Sequence, residues 1–285
     1  MILNNGPRAV GYDEVGDPEG RPVLLFHGFG DSRLTRHPDD ARTAALGIRL
    51  ITMDRPGIGL TDPMPVRTLL ERVGDVEALA DHLGLDRFAV LGWSGAGPHA
   101  LACGYRLADR VTVVGVASGF APLDRPEVRA VLSPQLRQGA ALISRLPFLA
   151  GPLMRQTEKR YRKDPAAAFE KQFGGSLCDA DRRVLADAAV RDNMLAGAVE
   201  AFRQGSGGLA AEMRLLFAGR WGFNPEDVTV PVELWYGDDD RLVPVAVGRY
   251  LESVLPKASL TVYPGEGHLL YHTHWDEILT TLAAR

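Results

Sequence analysis

Short apolar runs alternate with helix-like spacing over the first 120 residues of the chain. The runs predict four buried strands: Val23–Phe26, Arg49–Met53, Phe88–Leu91 and Val111–Ala117. Between them, apolar residues recur at helical spacing at Leu69, Leu70, Val73, Val76, Leu79, Ala80 and Leu83, and Gly97–Leu107 is a second candidate helix. Glycine or proline soon follows each run, where the backbone must turn. This alternation is typical of a parallel sheet joined by crossover helices.

The pattern changes after Phe120. From Ala121 to Trp221 the sequence has neither the alternation nor the apolar runs of strands, so we expect several short helices there. The expected breaks between these helices fall at Pro126, Pro134, Pro147, Pro152, Pro165 and Gly205–Gly208.

Strand patterns return near the end of the chain, at Val232–Tyr236 and Ser259–Tyr263. Each is followed by a candidate helix, Val245–Leu255 and Trp275–Ala284. The sequence therefore predicts an α/β fold with a mostly parallel, doubly wound sheet flanked by helices. Its core would comprise residues 1–120 and 222–285, and residues 121–221 would form a helical insertion before the strand that leads to Asp240.

Composition and charge narrow the classes of partner. Of the 285 residues, 46% are hydrophobic and 24% charged, which is ordinary for a soluble globular protein. The net charge of −4 gives no general attraction to nucleic acid or to a membrane, so we expect neither as a partner. The start of the chain does not resemble a secretion signal, and Val111–Leu123 is too short to cross a bilayer, so we expect a cytoplasmic protein. Cys103 and Cys178 lack the spacing of a metal site, and we expect no metal or cofactor.

Three reactive side chains each follow a predicted strand. Ser94, Asp240 and His268 stand just beyond carboxyl ends of strands, and such ends meet at the edge of a parallel sheet where ligands bind. A serine hydroxyl needs a base to take its proton, and a histidine base needs a carboxylate to orient it. Ser94 alone could instead cap the helix that follows it. His272 and His274 are rivals of His268, which we prefer because it follows the last strand directly.

At five places the sequence resembles the α/β-hydrolase superfamily, and the resemblance extends over nearly the whole chain. The matching segments are His27–Gly30, Asp54–Gly59, Gly92–Gly97, Gly237–Asp240 and Gly267–His268. In that family the nucleophile occupies a tight strand-to-helix turn, the nucleophile elbow, with the pattern G-x-S-x-G. Here the pattern ends in alanine rather than glycine, with Gly97 next. The resemblance implies that Ser94 is the nucleophile and that the helical insertion is a cap, or lid.

The same resemblance suggests further roles. The family places its acid three residues after a glycine, here Gly237, which selects Asp240 over its two acidic neighbours. Some members take the acid from the preceding strand, which would make it Asp124. An oxyanion hole needs two backbone N–H donors. One is expected from Gly95, the residue after the nucleophile, and the other, by resemblance, from Phe29.

We therefore expect a serine hydrolase that cleaves a carboxylic ester, thioester or lactone through an acyl-enzyme. Members that displace halide or open epoxides generally use aspartate at the elbow, so Ser94 argues against both reactions. A proline iminopeptidase usually carries His-Gly-Gly-Pro-Gly where this chain has His27–Gly30. Hydrolysis of a carbon–carbon bond and cofactor-free perhydrolysis use the same three residues and stay open. A non-catalytic ligand-binding member is the alternative from another class.

The substrate is expected to be a small molecule that is uncharged near the scissile bond and partly apolar. Apolar residues available for the pocket wall are Phe29, Trp93, Leu142, Leu146, Phe148, Met213 and Phe217, although each could instead hold the cap on the core. The cap is expected to control access to Ser94. The sequence carries no sign of an oligomeric state.

Overall fold

The computed structural model describes residues 1–65 and 67–285. Over these residues the strands are β1 Ile2–Asn5, β2 Arg8–Gly16, β3 Arg21–Phe26, β4 Ile48–Met53, β5 Phe88–Trp93, β6 Val111–Ala117, β7 Val232–Gly237 and β8 Ala258–Tyr263. They form one sheet in the order β1-β2-β4-β3-β5-β6-β7-β8. Strands β3 to β8 are parallel to one another, and β1 and β2 are antiparallel to their neighbours. The predicted α/β class and its mostly parallel sheet are confirmed.

The sequence pattern does not predict β1 and β2. Strand β2 pairs antiparallel with β4, and only its central residues Val10, Gly11 and Tyr12 are buried. The partly exposed Asp13 and Glu14 follow them, so β2 lacks the continuous apolar run of a strand that is covered on both faces.

Helices lie on both faces of the sheet. In chain order they are α1 Asp40–Ala45, α2 Val73–His82, α3 Gly97–Arg106, α4 Pro126–Val131, α5 Pro134–Arg145, α6 Ala150–Lys163, α7 Pro165–Phe173, α8 Asp179–Ala186, α9 Ala188–Glu200, α10 Gly207–Phe217, α11 Val245–Val254, α12 Leu270–Thr273 and α13 Trp275–Ala283. The four helices predicted within the α/β core correspond to α2, α3, α11 and α13. Among the described residues, no helix is long and apolar enough to cross a membrane.

Successive residues of the central strands enter different apolar clusters. Leu24 and Val90 belong to the cluster on one face of the sheet, whereas Leu25 and Leu91 belong to the cluster on the other. Neighbouring side chains of a strand point to opposite faces, so both faces of the sheet are covered. This double burial explains why these strands are apolar along their whole length.

The connection between β6 and β7 is helical. Residues 118–231, all of which the structure describes, contain α4 to α10 and no strand. The residues that begin a helix or a 3-10 turn here include Pro126, Pro134, Pro147 and Pro165. The break expected at Pro152 is wrong, because Pro152 is the third residue of α6. Proline is tolerated there, since N–H groups of the first turn have no partner within the helix.

Candidate active site

Ser94 stands on a sharp turn between β5 and α3. Its φ of 56° lies in the left-handed region that residues other than glycine rarely adopt. The turn leaves little room, because a Cβ at Gly92 would come within 2.4 Å of the Ala96 carbonyl oxygen. A Cβ at Gly95 would lie 2.8 Å from the Cβ of Phe29. Ala96 has a φ of −94°, which suits any residue, so alanine at the end of the elbow pattern does not disturb the turn.

The structure brings Ser94, His268 and Asp240 into one hydrogen-bonded line. The Nε2 atom of His268 is 2.9 Å from Ser94 Oγ, and its Nδ1 atom is 2.8 Å from Asp240 Oδ2. The other carboxylate oxygen of Asp240 accepts hydrogen bonds from the backbone N–H groups of Leu242 and Val243, at 2.8 and 2.9 Å. These bonds fix the carboxylate, so His268 is oriented with Nε2 toward the serine.

The rival residues lie elsewhere. Asp124 is exposed and packs against Gly219, where a Cβ would fall 2.4 Å from its Cγ. His272 is buried beside Tyr271, with ring centroids 4.0 Å apart. His274 stacks on Tyr263 at 3.7 Å. Within the described residues, none of the three rivals hydrogen-bonds to a member of the Ser94 line.

The charge state of His268 is set by its surroundings. Burial alone would lower the pKa of its imidazole, but the charge of Asp240 and the hydrogen bond to it act in the opposite direction. Asp181 adds a smaller effect of the same sign, and the resulting pKa lies above the ordinary 6.5. Only a neutral imidazole can accept a proton from a hydroxyl group, so His268 is able to accept one only above that raised pKa.

Asp181, on α8, is a site residue that the sequence did not reveal. Its Oδ1 accepts a hydrogen bond from the backbone N–H of Leu269 at 2.8 Å, across 88 residues of sequence. Its Oδ2 accepts one from Cys178 N at 3.2 Å. A Cβ at Gly267 would lie 2.3 Å from Oδ2, so only glycine fits there. Asp181, a residue of the helical connection between β6 and β7, therefore fixes the loop that carries His268.

Trp93, expected in the pocket wall, lies behind His268 instead. Its indole Nε1–H donates to the His268 carbonyl oxygen at 3.1 Å, and the two rings are 5.6 Å apart. The Trp93 ring also packs against the Tyr271 ring, with 4.8 Å between their centroids. With only 3% of its surface exposed, Trp93 supports the histidine and offers almost no surface to a ligand.

The two expected oxyanion donors are neighbours. A Cβ at Gly95 would lie 3.2 Å from the backbone nitrogen of Phe29. The N–H of Phe29 donates to no other described residue, so it is free for a ligand. The Phe29 ring contacts the Phe217 ring, with centroids 6.1 Å apart, and Phe217 also contacts Phe120. Phe217, another predicted wall residue, therefore lies against this loop.

The buried guanidinium of Arg55 hydrogen-bonds to the backbone of the same loop. The Nη1 and Nη2 groups of Arg55 donate to the carbonyl oxygens of His27 and Gly28, the latter at 2.9 Å. Arg55 also forms an ion pair with Glu212 of α10, at 2.7 Å. Burial, and next the charge of Arg55, lower the pKa of His27 far below its ordinary value, so His27 is neutral. The loop before Phe29 thus depends on a carboxylate from the helical connection.

A cavity of about 290 Å³ adjoins the loop of residues 27–30, which we call the Phe29 loop. It is lined by Phe29, Gly30, Met154, Thr157, Arg160, Ala168, Lys171, Gln172, Phe202 and Leu209. Among the described residues, no group of three or more His, Cys, Asp or Glu side chains is arranged to hold a metal ion. Cys103 and Cys178 are buried free thiols.

Most of the predicted wall residues lie outside this cavity. Leu142, Leu146 and Phe148 are 42%, 41% and 68% exposed and do not line it. Met213 is half-buried and packs against the apolar cluster that contains Leu209 and Ala210 of the same helix. Helical spacing shows which residues share a face of a helix, but it does not show which face points to the site. Of the predicted residues, only Phe29 lines the cavity.

Comparison with known proteins gives one consistent family. Residues 23–281 match the model of the alpha/beta hydrolase family. The chain is 30% identical over 262 residues to the pimeloyl-[acyl-carrier protein] methyl ester esterase of Aromatoleum aromaticum, covering 90% of this chain and 94% of that protein. It is 26% identical over 276 residues to the 2-hydroxy-6-oxononadienedioate/2-hydroxy-6-oxononatrienedioate hydrolase 2 of Pseudomonas putida, with coverages of 92% and 86%. The solved structure of the esterase RhEst1 from Rhodococcus sp. ECU1013 superposes with a TM-score of 0.72 at 18% identity, covering 99% of this chain and 97% of that one. The protein therefore belongs to the alpha/beta hydrolase family.

Proposed function

We propose that this protein is a serine hydrolase that cleaves an ester-type bond of a small molecule, namely a carboxylic ester, thioester or lactone. The observation that carries the proposal is the hydrogen-bonded line from Ser94 through His268 to Asp240. It combines a nucleophile on a strained turn, a base within reach and a fixed carboxylate, which is the arrangement that acyl transfer requires. A non-catalytic binding member has no need of all three.

The reaction proceeds in two halves. Ser94 Oγ attacks the carbonyl carbon of the substrate while His268 Nε2 takes its proton, and Asp240 stabilises the imidazolium that forms. The negative oxygen of the tetrahedral intermediate accepts hydrogen bonds from the N–H groups of Phe29 and Gly95. Collapse of the intermediate expels the alcohol or thiol, which receives the proton from His268. Water then attacks the acyl-enzyme with the same proton transfers and releases the acid.

An ester-type bond is the first choice because the relative with 30% identity carries the name of a methyl ester esterase. Hydrolysis of a carbon–carbon bond is the second candidate, because a relative with 26% identity is named as the hydrolase of an oxo-dienedioate. Both reactions use a serine, a histidine and a carboxylate. A parallel assay with a p-nitrophenyl ester and a vinylogous diketone distinguishes them.

Residues 121–221 act as a cap on a core of residues 1–120 and 222–285. Two contacts and part of the cavity wall support this division. Asp181 of α8 accepts the N–H of Leu269 beside His268, and Glu212 of α10 pairs with Arg55, which binds the carbonyl oxygens before Phe29. Helices α6 and α7 supply part of the cavity wall. We expect the substrate to pass these helices on its way to Ser94, and we expect the reaction to take place in the cytoplasm.

The decisive experiment compares Ser94→Ala with Ser118→Ala. Ser118 is a matched control because it is also buried and also has a positive φ, of 47°. We expect Ser94→Ala to lower kcat for p-nitrophenyl butyrate by roughly 10³-fold or more and to abolish labelling by a fluorophosphonate. Ser118→Ala should keep both. Unimpaired turnover by Ser94→Ala would rule out the proposal, and a wild-type protein that neither reacts nor turns over any ester would favour the binding alternative.

A further inference from the structure

The cavity beside the Phe29 loop extends from the protein interior to solvent. Gly30 is buried at its inner side, whereas Arg160 and Lys171 are exposed at its rim. On α6, Met154, Thr157 and Arg160 follow at intervals of three residues, so they share one face of the helix. The wall is thus apolar in part, with polar groups where it opens.

The polar groups of the wall are mainly hydrogen-bond donors. The hydroxyl of Tyr161 donates to Gln172 Oε1 at 2.9 Å, which turns the amide nitrogen of Gln172 the other way. That nitrogen lies beside Gly30, where a Cβ would be 3.0 Å from it. Gln172 therefore presents N–H groups beside the loop, and its acceptor oxygen is already in use.

Within the part of the chain that the structure describes, the cations at the rim have no carboxylate partner, and no aspartate or glutamate lines the cavity. Among the described residues, neither Arg160 nor Lys171 takes part in an ion pair, whereas Arg162 of the same helix pairs with Glu158 at 2.9 Å. Two free cations and an oriented amide donor form a site with positive charge and few acceptors. The group that complements it is an anion with several acceptor oxygens.

We propose that this cavity binds a carboxylate on the acyl part of the substrate, held by Arg160, Lys171 and Gln172. The inference rests on the proposed ester hydrolysis and names its substrate class, an ester whose acyl chain ends in a free carboxylate. The apolar residues Met154 and Phe202 contact the methylene chain between the two ends. The charge of such a substrate lies at the far end of the acyl chain from the bond that Ser94 cleaves.

The test uses two esters that differ only in this charge. Mono-p-nitrophenyl adipate carries the free carboxylate, and its methyl ester is neutral and of nearly the same size. Turnover of both is compared in the wild type, Arg160→Gln, Lys171→Gln and the double variant. Lys163→Gln is the matched control, because Lys163 is an exposed cation of the same helix outside the cavity.

We expect the wild type to prefer the carboxylate ester in kcat/KM. The double variant should reduce this preference about tenfold, since each exposed charge pair contributes a factor of up to about five. High salt should weaken the preference in the wild type through screening. Turnover of the neutral ester should change less than about twofold in Lys163→Gln, and in the other variants it should fall less than turnover of the carboxylate ester. A wild type without the preference, or a double variant that keeps it, would overturn the proposal.

A binding measurement separates this proposal from the proposed function. Calorimetry with Ser94→Ala compares monomethyl adipate with dimethyl adipate, and neither measurement requires turnover. Tighter binding of the monoacid, lost in the additional Arg160→Gln and Lys171→Gln background, supports the carboxylate site even if no ester is hydrolysed. Equal binding of the two compounds would refute the site, even if ester hydrolysis by Ser94 is established.

Discussion

The carboxylate of Asp181 accepts the backbone N–H of Leu269 at 2.8 Å, one residue past His268. Asp240 hydrogen-bonds to the imidazole side chain of His268, whereas Asp181 hydrogen-bonds to the backbone of the loop that carries His268. The two carboxylates reach this loop from different parts of the chain, since Asp240 follows β7 and Asp181 belongs to α8. Both also raise the pKa of His268.

The first prediction concerns Asp181→Asn. The asparagine oxygen can still accept the Leu269 N–H, but the hydrogen bond from the Cys178 N–H and the negative charge are lost, so the pKa of His268 should fall. The rise of kcat/KM with pH should therefore move to lower pH while kcat at high pH changes little. The measurement is a pH–rate profile with a neutral ester. Asp179→Asn, an exposed residue of the same helix, is the control, and coincident profiles for all three proteins would contradict the prediction.

Asp240→Asn should be far more damaging than Asp124→Asn. An asparagine can present its amide to His268 and so favour the wrong tautomer, which in another serine hydrolase triad costs about 10⁴ in kcat. Asp124 contacts neither His268 nor Ser94, so its change should cost less than about twofold. Steady-state kinetics of both variants decides the matter. The reverse order of losses would move the acid to Asp124.

Glu212→Gln should lower both stability and activity. It leaves Arg55 buried without its 2.7 Å partner, and breaking a buried ion pair costs about 3–5 kcal/mol. Arg55 also binds the carbonyl oxygens before Phe29, so kcat should fall more than KM rises. Urea unfolding and steady-state kinetics measure the two effects. Glu226→Gln, which removes an exposed ion pair at 3.5 Å, should change the free energy of unfolding by less than about 0.5 kcal/mol.

Asp31 should make the protein less stable as pH rises through the acid range. Burial raises the pKa of its carboxyl from 3.8 to about 7, and hydrogen bonds from Thr35 and Ser32 offset this only in part. The unfolded chain loses the proton near pH 4 and the folded protein near pH 7, so the free energy of unfolding falls between these values. Asp31→Asn should remove this slope, and exposed Asp192→Asn should retain it. Urea unfolding at pH 5 and pH 8 is the measurement, and an unchanged slope in Asp31→Asn would contradict the assignment.

Hydrogen exchange should differ within the helical connection. Helix α10 is anchored by the buried Glu212, whereas α5 buries only Ala140 and Ile143 and exposes Leu142. These helices have similar lengths, 12 and 11 residues, so their amides can be compared directly. We expect faster exchange in α5 than in α10, and slower exchange in α6 and α7 once Ser94 carries a fluorophosphonate. Equal exchange rates in α5 and α10, together with no change in α6 and α7 on inhibition, would indicate a rigid layer rather than a cap that moves.

Sequence patterns predicted the parts of this molecule that follow from local chemistry. The six parallel strands are buried on both faces and are therefore apolar throughout. Ser94 and His268 can be selected because they follow such strands, whereas only the family resemblance distinguishes Asp240 from its two acidic neighbours. Asp181 and Glu212 could not, because their partners Leu269 and Arg55 are distant in sequence and an acidic residue on a helix usually faces solvent. Phe148 is expected in the pocket wall, but it is 68% exposed and does not line the cavity, because apolar character alone does not fix the direction of a side chain.

The position of Glu212 limits how this protein can be recombined with its relatives. Two buried guanidinium groups outside the β6–β7 connection, those of Arg55 and Arg72, face this single carboxylate, at 2.7 and 3.8 Å. Burial lowers the pKa of Arg72 to about 10, and the charge of Glu212 opposes that change. In a chimera that takes its β6–β7 connection from another family member, both buried cations would lose this carboxylate unless the donor supplies an acid at the same point. The connection is therefore exchangeable only if the donor supplies such an acid, or if Arg55 and Arg72 are replaced together with it.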